Sequence, residues 1–184
     1  MSAKVSGLGH VGFYVQDLEL MKDFYANFIG MQLTKVSQNA AFFSADPEAC
    51  DHEIALMIGR PSLDDPHSIQ QISMRVDSLD DLRDFKRRIG EKGYQLDRIV
   101  THASAIGCYF RDPENNPVEV FWLTGHTSWA QISIPIDIDQ SDEDVMADVD
   151  RAFAVSRKVE LGKPATPETQ AAIRELGAAV VSSR

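Results

Sequence analysis

At 184 residues the chain is long enough for one domain, or for two small modules sharing a core, and its hydrophobic (43%) and charged (25%) fractions are those of a soluble globular protein. A formal net charge of −10 argues against a nucleic-acid or anionic-membrane surface, because both need a basic footprint. No apolar run approaches the ~20 residues that span a bilayer, and the start Met-Ser-Ala-Lys-Val lacks the apolar core of a signal peptide, so a cytoplasmic protein is expected. Cys50 and Cys108 form neither a metal-type pair nor a disulfide framework and read as buried free thiols.

In chain order, residues 8–15 are apolar, β-branched and aromatic, and predict a strand. Asp17 then caps a helix whose inner face is Leu18, Met21, Phe24, Tyr25 and Phe28, ending at Gly30. Three further strands follow over 31–35, 39–44 and 51–58, the last two separated by the turn Asp46-Pro47-Glu48. Residues 59–68 read as a linker. The order then repeats: a strand over 69–76, a helix capped at Ser78 with Leu79, Leu82, Phe85 and Ile89 on one face, and strands over 94–100, 107–111 and 117–123. The turn Asp112-Pro113-Glu114 echoes the first. From Thr124 the pattern changes to an apolar loop over 129–138, a helix capped at Ser141, and a second helix from Glu168 to about Leu176 behind Thr166-Pro167.

These elements form a repeat. The stretch from His10 to Phe24 returns 61 positions on, with Val15 on Val76, Leu18 on Leu79, Asp23 on Asp84 and Phe24 on Phe85. The expected fold is α+β: a first βαβββ module over 1–61, a second over 62–124, and a loop and helical extension over 125–184. Neither half closes its own sheet, so the two are expected to share a half-barrel around a concave surface.

The offset also pairs two side chains able to ligate metal, His10 and Gln71; a slip of one residue would offer Gln70 instead. Glu119 strengthens the metal reading. In Pro-Val-Glu-Val-Phe-Trp, alternation sends Val118, Val120 and Trp122 to one face and Glu119 to the other, toward the cavity. A buried carboxylate needs a cation, donors or a proton, and a metal supplies the first. His67 in the linker and His126 in the Gly125-His126-Thr127 turn read as surface residues.

The paired modules, the motif Phe24-Tyr25-Ala-Asn-Phe-Ile-Gly30 and the stretch Arg111-Asp-Pro-Glu-Asn-Asn-Pro-Val-Glu119 resemble the vicinal oxygen chelate superfamily, which includes glyoxalase I, methylmalonyl-CoA epimerase, bleomycin-resistance proteins and type I extradiol dioxygenases. The resemblance implies metal ligands at His10, Gln71 and Glu119, where members place His, His or Gln, and Glu. Thr101-His102-Ala-Ser-Ala-Ile-Gly-Cys-Tyr109 and Cys50-Asp-His52-Glu-Ile-Ala-Leu56 are similar to segments of the small one-domain extradiol dioxygenases. That likeness implies an oxidoreductase that cleaves a catechol with O2 on a divalent metal, Fe(II) first and Mn(II), Zn(II) or Ni(II) as substitutes. His52 would be the acid–base, His102 a donor to bound oxygen or substrate, and Tyr109 a donor to the ring oxygens. Partners are then a small aromatic substrate and O2, with a homodimer as the default assembly.

Two other readings remain open. Counting six residues from the proline of each Asp-Pro pair reaches Glu53 and Glu119. Alternation then faces Glu53 and Ala55 to the cavity and turns His52 away, giving a four-ligand set similar to glyoxalase I and hence an isomerase or lyase. A β-bulge, or a strand beginning at Ile54, restores His52. The third reading is a non-catalytic protein of the same fold that binds an aromatic ligand. Phe13, Phe43, Met57 and Phe121 are the apolar residues expected to line the pocket.

Overall fold

The computed structural model describes residues 7–64 and 69–182, which form two compact units. His67, expected on the surface, and the Met-Ser-Ala-Lys-Val start lie outside the described residues. The first unit runs to residue 64 and includes the segment Asp112–Asn116; the second comprises Ile69–Arg111 and the chain from Pro117 onward.

In the first unit β1 (Val11–Val15) leads into α1 (Leu18–Asp23), followed by β2 (Gln32–Val36), β3 (Ala40–Ser44) and β4 (Ile54–Ile58). The strands order as β1-β4-β3-β2, with β1 parallel to β4 and the other pairs antiparallel. Asp17 caps α1 as expected, its carboxylate accepting the Leu20 N–H at 3.0 Å. The helix does not continue as α. Phe24–Ile29 form a π-helical turn that ends at Gly30, whose φ of 92° belongs to the left-handed region. The wider turn still buries Phe24, Tyr25 and Phe28, and Phe24 and Phe28 stack at 5.3 Å while Tyr25 meets Phe43 at 5.7 Å. Phe43 is therefore core and not pocket lining.

The Glu114 carboxylate closes the start of this helix. Its Oε1 accepts the Gln16 and Asp17 N–H groups at 2.7 and 2.6 Å, and Oε2 faces Arg60 Nη1 at 3.4 Å. Burial pushes the neighbouring Asp112 carboxyl up to about 6, and hydrogen bonds from Asn116 and the Glu114 N–H oppose the rise.

The second unit carries β5 (Ile72–Val76), α2 (Leu79–Lys92), β6 (Leu96–Thr101), β7 (Ala105–Arg111), β8 (Pro117–Leu123), β9 (Ile134–Pro135), α3 (Asp142–Ser156) and α4 (Pro167–Ser182). Its sheet orders as β5-β8-β7-β6-β9. Ser78 caps α2 through the Asp81 N–H at 3.1 Å, and Gly93, with φ 68°, terminates it. Leu79, Leu82 and Ile89 are buried along α2, while Phe85 is half-buried under the Arg88 guanidinium at 4.8 Å.

The extension is built into this second unit. Within the expected loop, β9 adds to the edge of β6 through the pairs Val100–Pro135 and Thr101–Ile134. Ile132 and Ile134 then pack with Ala103 and Ala152, bordered by Phe153, Ile173 and Leu176. Arg83 fastens the start of α3, donating to Asp142 Oδ1 and the Ile138 carbonyl, both at 2.7 Å. α4 continues past the expected end near Leu176 to Ser182. His126 is only 26% exposed: it stacks on Phe153 at 4.3 Å, and its Nε2 meets Asp150 at 2.7 Å. Cys108 is buried, as expected, and Cys50 only partly so. Among the described residues no helix is long and apolar enough to cross a membrane.

Candidate functional site

A single polar row crosses the sheet of the second unit. The register pairs Ser73 of β5 with Glu119 of β8, Glu119 with Tyr109 of β7, and Tyr109 with Arg98 of β6. Residues directly opposite on adjacent strands share a face, so pairing brings these four side chains side by side. Glu119 is 6% exposed, and its Oε2 accepts from Ser73 Oγ at 2.5 Å and from Gln71 Nε2 at 2.9 Å. Gln70 makes no such contact, so the repeat offset identifies the glutamine that meets Glu119.

Gly107 explains how the carboxylate fits. A Cβ there would lie 2.2 Å from Glu119 Oε1 and 2.8 Å from Tyr109 Cε2. Glycine in a strand interior commonly marks such a close approach, and this one was the available signal in the sequence.

Tyr109 connects the row to His102. The phenol oxygen lies 2.8 Å from His102 Nε2, and His102 Nδ1 lies 2.6 Å from the Ile132 carbonyl. A carbonyl only accepts, so Nδ1 carries a proton and Nε2 takes the phenol hydrogen in the neutral imidazole. Burial pushes Tyr109 up to about 12, the adjacent Glu119 carboxylate adds to the rise, and Arg98, 4.0 Å above the ring, opposes it. The hydroxyl therefore keeps its proton at neutral pH. Beside His102 the chain turns at Ala103, a buried residue with φ 65°, held by Thr101 Oγ1 and Thr124 Oγ1 at 3.0 and 2.6 Å.

In the first unit His10 and His52 meet, with ring centroids 4.4 Å apart. His52 Nδ1 contacts Asp51 Oδ2 at 2.7 Å, and Phe42 packs edge-on to its ring at 5.1 Å. Lys35, 2.6 Å from Asp51, holds that carboxyl below the usual carboxylate range, with His52 adding to the effect. His52 Nε2 has no hydrogen-bond partner among the described residues, which leaves it available for proton transfer. Asp51 is a partner that reading the sequence did not single out.

The Glu53 alternative loses its footing. β4 starts at Ile54, and Gly12 of β1 pairs with Ala55 just as Ser73 pairs with Glu119. Gly12 and Ser73 are separated by the 61-residue offset, so Glu119 corresponds to Ala55. The Glu53 side chain instead accepts the Ala45 N–H at 2.8 Å.

The donors present suit a divalent cation. Glu119 is buried, accepts from the neutral Gln71 amide and Ser73 hydroxyl, and forms no ion pair among the described residues. Imidazole, amide and carboxylate are all donors that such a cation accepts.

Duplicated βαβββ units, each pairing its first strand parallel to its last, define the glyoxalase type of fold. The chain belongs to the Glyoxalase/Bleomycin resistance protein/Dioxygenase superfamily, whose model matches residues 7–120. Biphenyl-2,3-diol 1,2-dioxygenase 2 of Rhodococcus globerulus is 25% identical over 116 residues, which span 60% of each chain. The glyoxylase/bleomycin resistance protein/dioxygenase domain from Frankia sp. EAN1pec superposes with a TM-score of 0.54 at 21% identity, covering 67% of this chain and 96% of that one. A mutant of the fosfomycin resistance protein of Listeria monocytogenes, complexed with Mn(II) and 1S,2S-dihydroxypropylphosphonic acid, superposes at 0.52 with 22% identity, covering 64% and 90%. At these identities the two structures establish the shared fold alone.

Proposed function

We propose that this protein is an extradiol-type dioxygenase that uses a divalent metal to cleave a catecholic aromatic substrate with O2. The observation that carries the reading is the Tyr109–His102 hydrogen bond beside the buried Glu119 carboxylate. The likeness to a biphenyl-diol dioxygenase agrees with it.

His10, Gln71 and Glu119 are the donors assigned to the metal, on the repeat and on their chemistry. The metal, Fe(II) before Mn(II), Zn(II) or Ni(II), supplies Lewis acidity toward the catechol oxygens and the redox step with O2. Tyr109 stays protonated, and when substrate binds its hydroxyl turns from His102 Nε2 to donate to a catechol oxygen, which frees that nitrogen. His102, its tautomer fixed by Ile132, hands or takes a proton at Nε2. His52 accepts the catechol proton at Nε2, and the Asp51 carboxylate on Nδ1 stabilises the imidazolium that forms.

The test is anaerobic loading with Fe(II), followed by a catechol panel scored for the yellow ring-cleavage product in air. Failure of an iron-replete sample to turn over any catechol rejects the reading. Gln71 favours a second reading, a glyoxalase- or epimerase-like isomerase or lyase, because an extradiol enzyme is expected to carry histidine there. It predicts turnover indifferent to O2, and with Ala55 matched to Glu119 it lacks its fourth ligand.

A further inference from the structure

In the C-terminal part of the second unit, residues that are mostly solvent-exposed line an open cavity of about 430 Å³, within the size range of small-molecule sites. None of the residues in its lining belongs to the Glu119 row. Two are cations, Lys163 and Arg174, and no carboxylate lines the cavity. Neither cationic head makes an ion pair or hydrogen bond among the described residues. Elsewhere in this acidic chain many cations are held: Lys22, Lys35, Arg83, Lys86 and Arg87 all face carboxylates.

The remaining walls are chemically different. Trp129, 52% exposed, adds an indole, Ile173 aliphatic surface, and Gln131 an amide. A guanidinium and an ammonium that line one cavity without a carboxylate in its walls suit an anion, and the guanidinium matches a carboxylate in two-point geometry. An indole face gains most from a flat, apolar ring. Inorganic phosphate would leave that face unused, and a polyanion is disfavoured by the net charge of −10.

We propose that this cavity binds a small planar organic acid, with its carboxylate at Lys163 and Arg174 and its ring on Trp129. The site rests on its own residues and stands whether or not the ring-cleavage reading does.

The test is calorimetric titration of the full chain with 1-naphthoate, its neutral analogue 1-naphthalenemethanol, and inorganic phosphate. Naphthoate is expected to saturate one site, with the alcohol and phosphate each weaker by roughly tenfold or more. The double substitution Lys163→Gln/Arg174→Gln is expected to weaken naphthoate by a similar factor, and Trp129→Leu to weaken it as well. Binding of naphthoate no tighter than the alcohol or phosphate, or binding unchanged in the double variant, overturns the proposal. A measurement without substitutions guards against misfolding. Naphthoate should shift the indole N–H resonance of Trp129 and leave that of Trp122 in place; a stationary Trp129 signal also overturns the proposal.

Discussion

Ser73 and Glu119 face each other across the parallel β5–β8 pair, the serine hydroxyl donating to the carboxylate over 2.5 Å. Gln71 donates to the same oxygen, so two side chains from one strand start fix one carboxylate. Partners that orient a metal ligand typically contribute 10–100-fold in affinity. Ser73→Ala is therefore expected to weaken Mn(II) binding by about tenfold while leaving the fold intact. Calorimetric titration measures this, and an unchanged affinity would mean that Ser73 does not orient a ligand.

Tyr25 gives a stability prediction. Its hydroxyl is buried without a hydrogen-bond partner among the described residues, and burial drives its pKa well above the usual tyrosine value, with Asp112 adding to the effect. Removing an unsatisfied buried donor recovers its desolvation cost. Tyr25→Phe should raise the unfolding free energy by about 1 kcal/mol, read from the urea midpoint at constant slope. A loss of stability would reveal a partner for the hydroxyl.

Asp112 sets a pH dependence of known sign. Its folded-state pKa is raised from 3.8 to about 6, so the folded protein holds this proton more tightly than the unfolded chain. The stabilising contribution is complete below 3.8 and is lost as pH rises through 6. A shift of this size corresponds to up to about 3 kcal/mol. Asp112→Asn should flatten the fall in stability between pH 4 and pH 6.5, measured by denaturant titration, and a slope unchanged by the substitution would contradict this.

The repeat made most of the scaffold legible. Apolar runs bounded by turn signals located all eight strands of the two modules, and the 61-residue offset showed that they fall into two copies of one unit. Strand starts were less legible, because a strand begins where a partner begins. The expected strand at 8–15 starts at Val11 with Leu8 89% exposed, and the one at 51–58 starts at Ile54. That second difference leaves Glu53 outside the strand, where alternation cannot be carried. Ser73 was missed because its role depends on register between strands far apart in sequence, and Arg98 because the β6–β7 register shifts between Leu96 and Arg98. The two-residue strand β9 is too short for any period to reveal.

The most direct test of the proposed reaction is oxygen uptake by the Fe(II)-loaded protein, followed on an electrode while the yellow product is recorded. Extradiol cleavage incorporates both oxygen atoms, so about one O2 should disappear per catechol consumed. Catechol consumption without O2 uptake, or no consumption by iron-replete protein, contradicts the account.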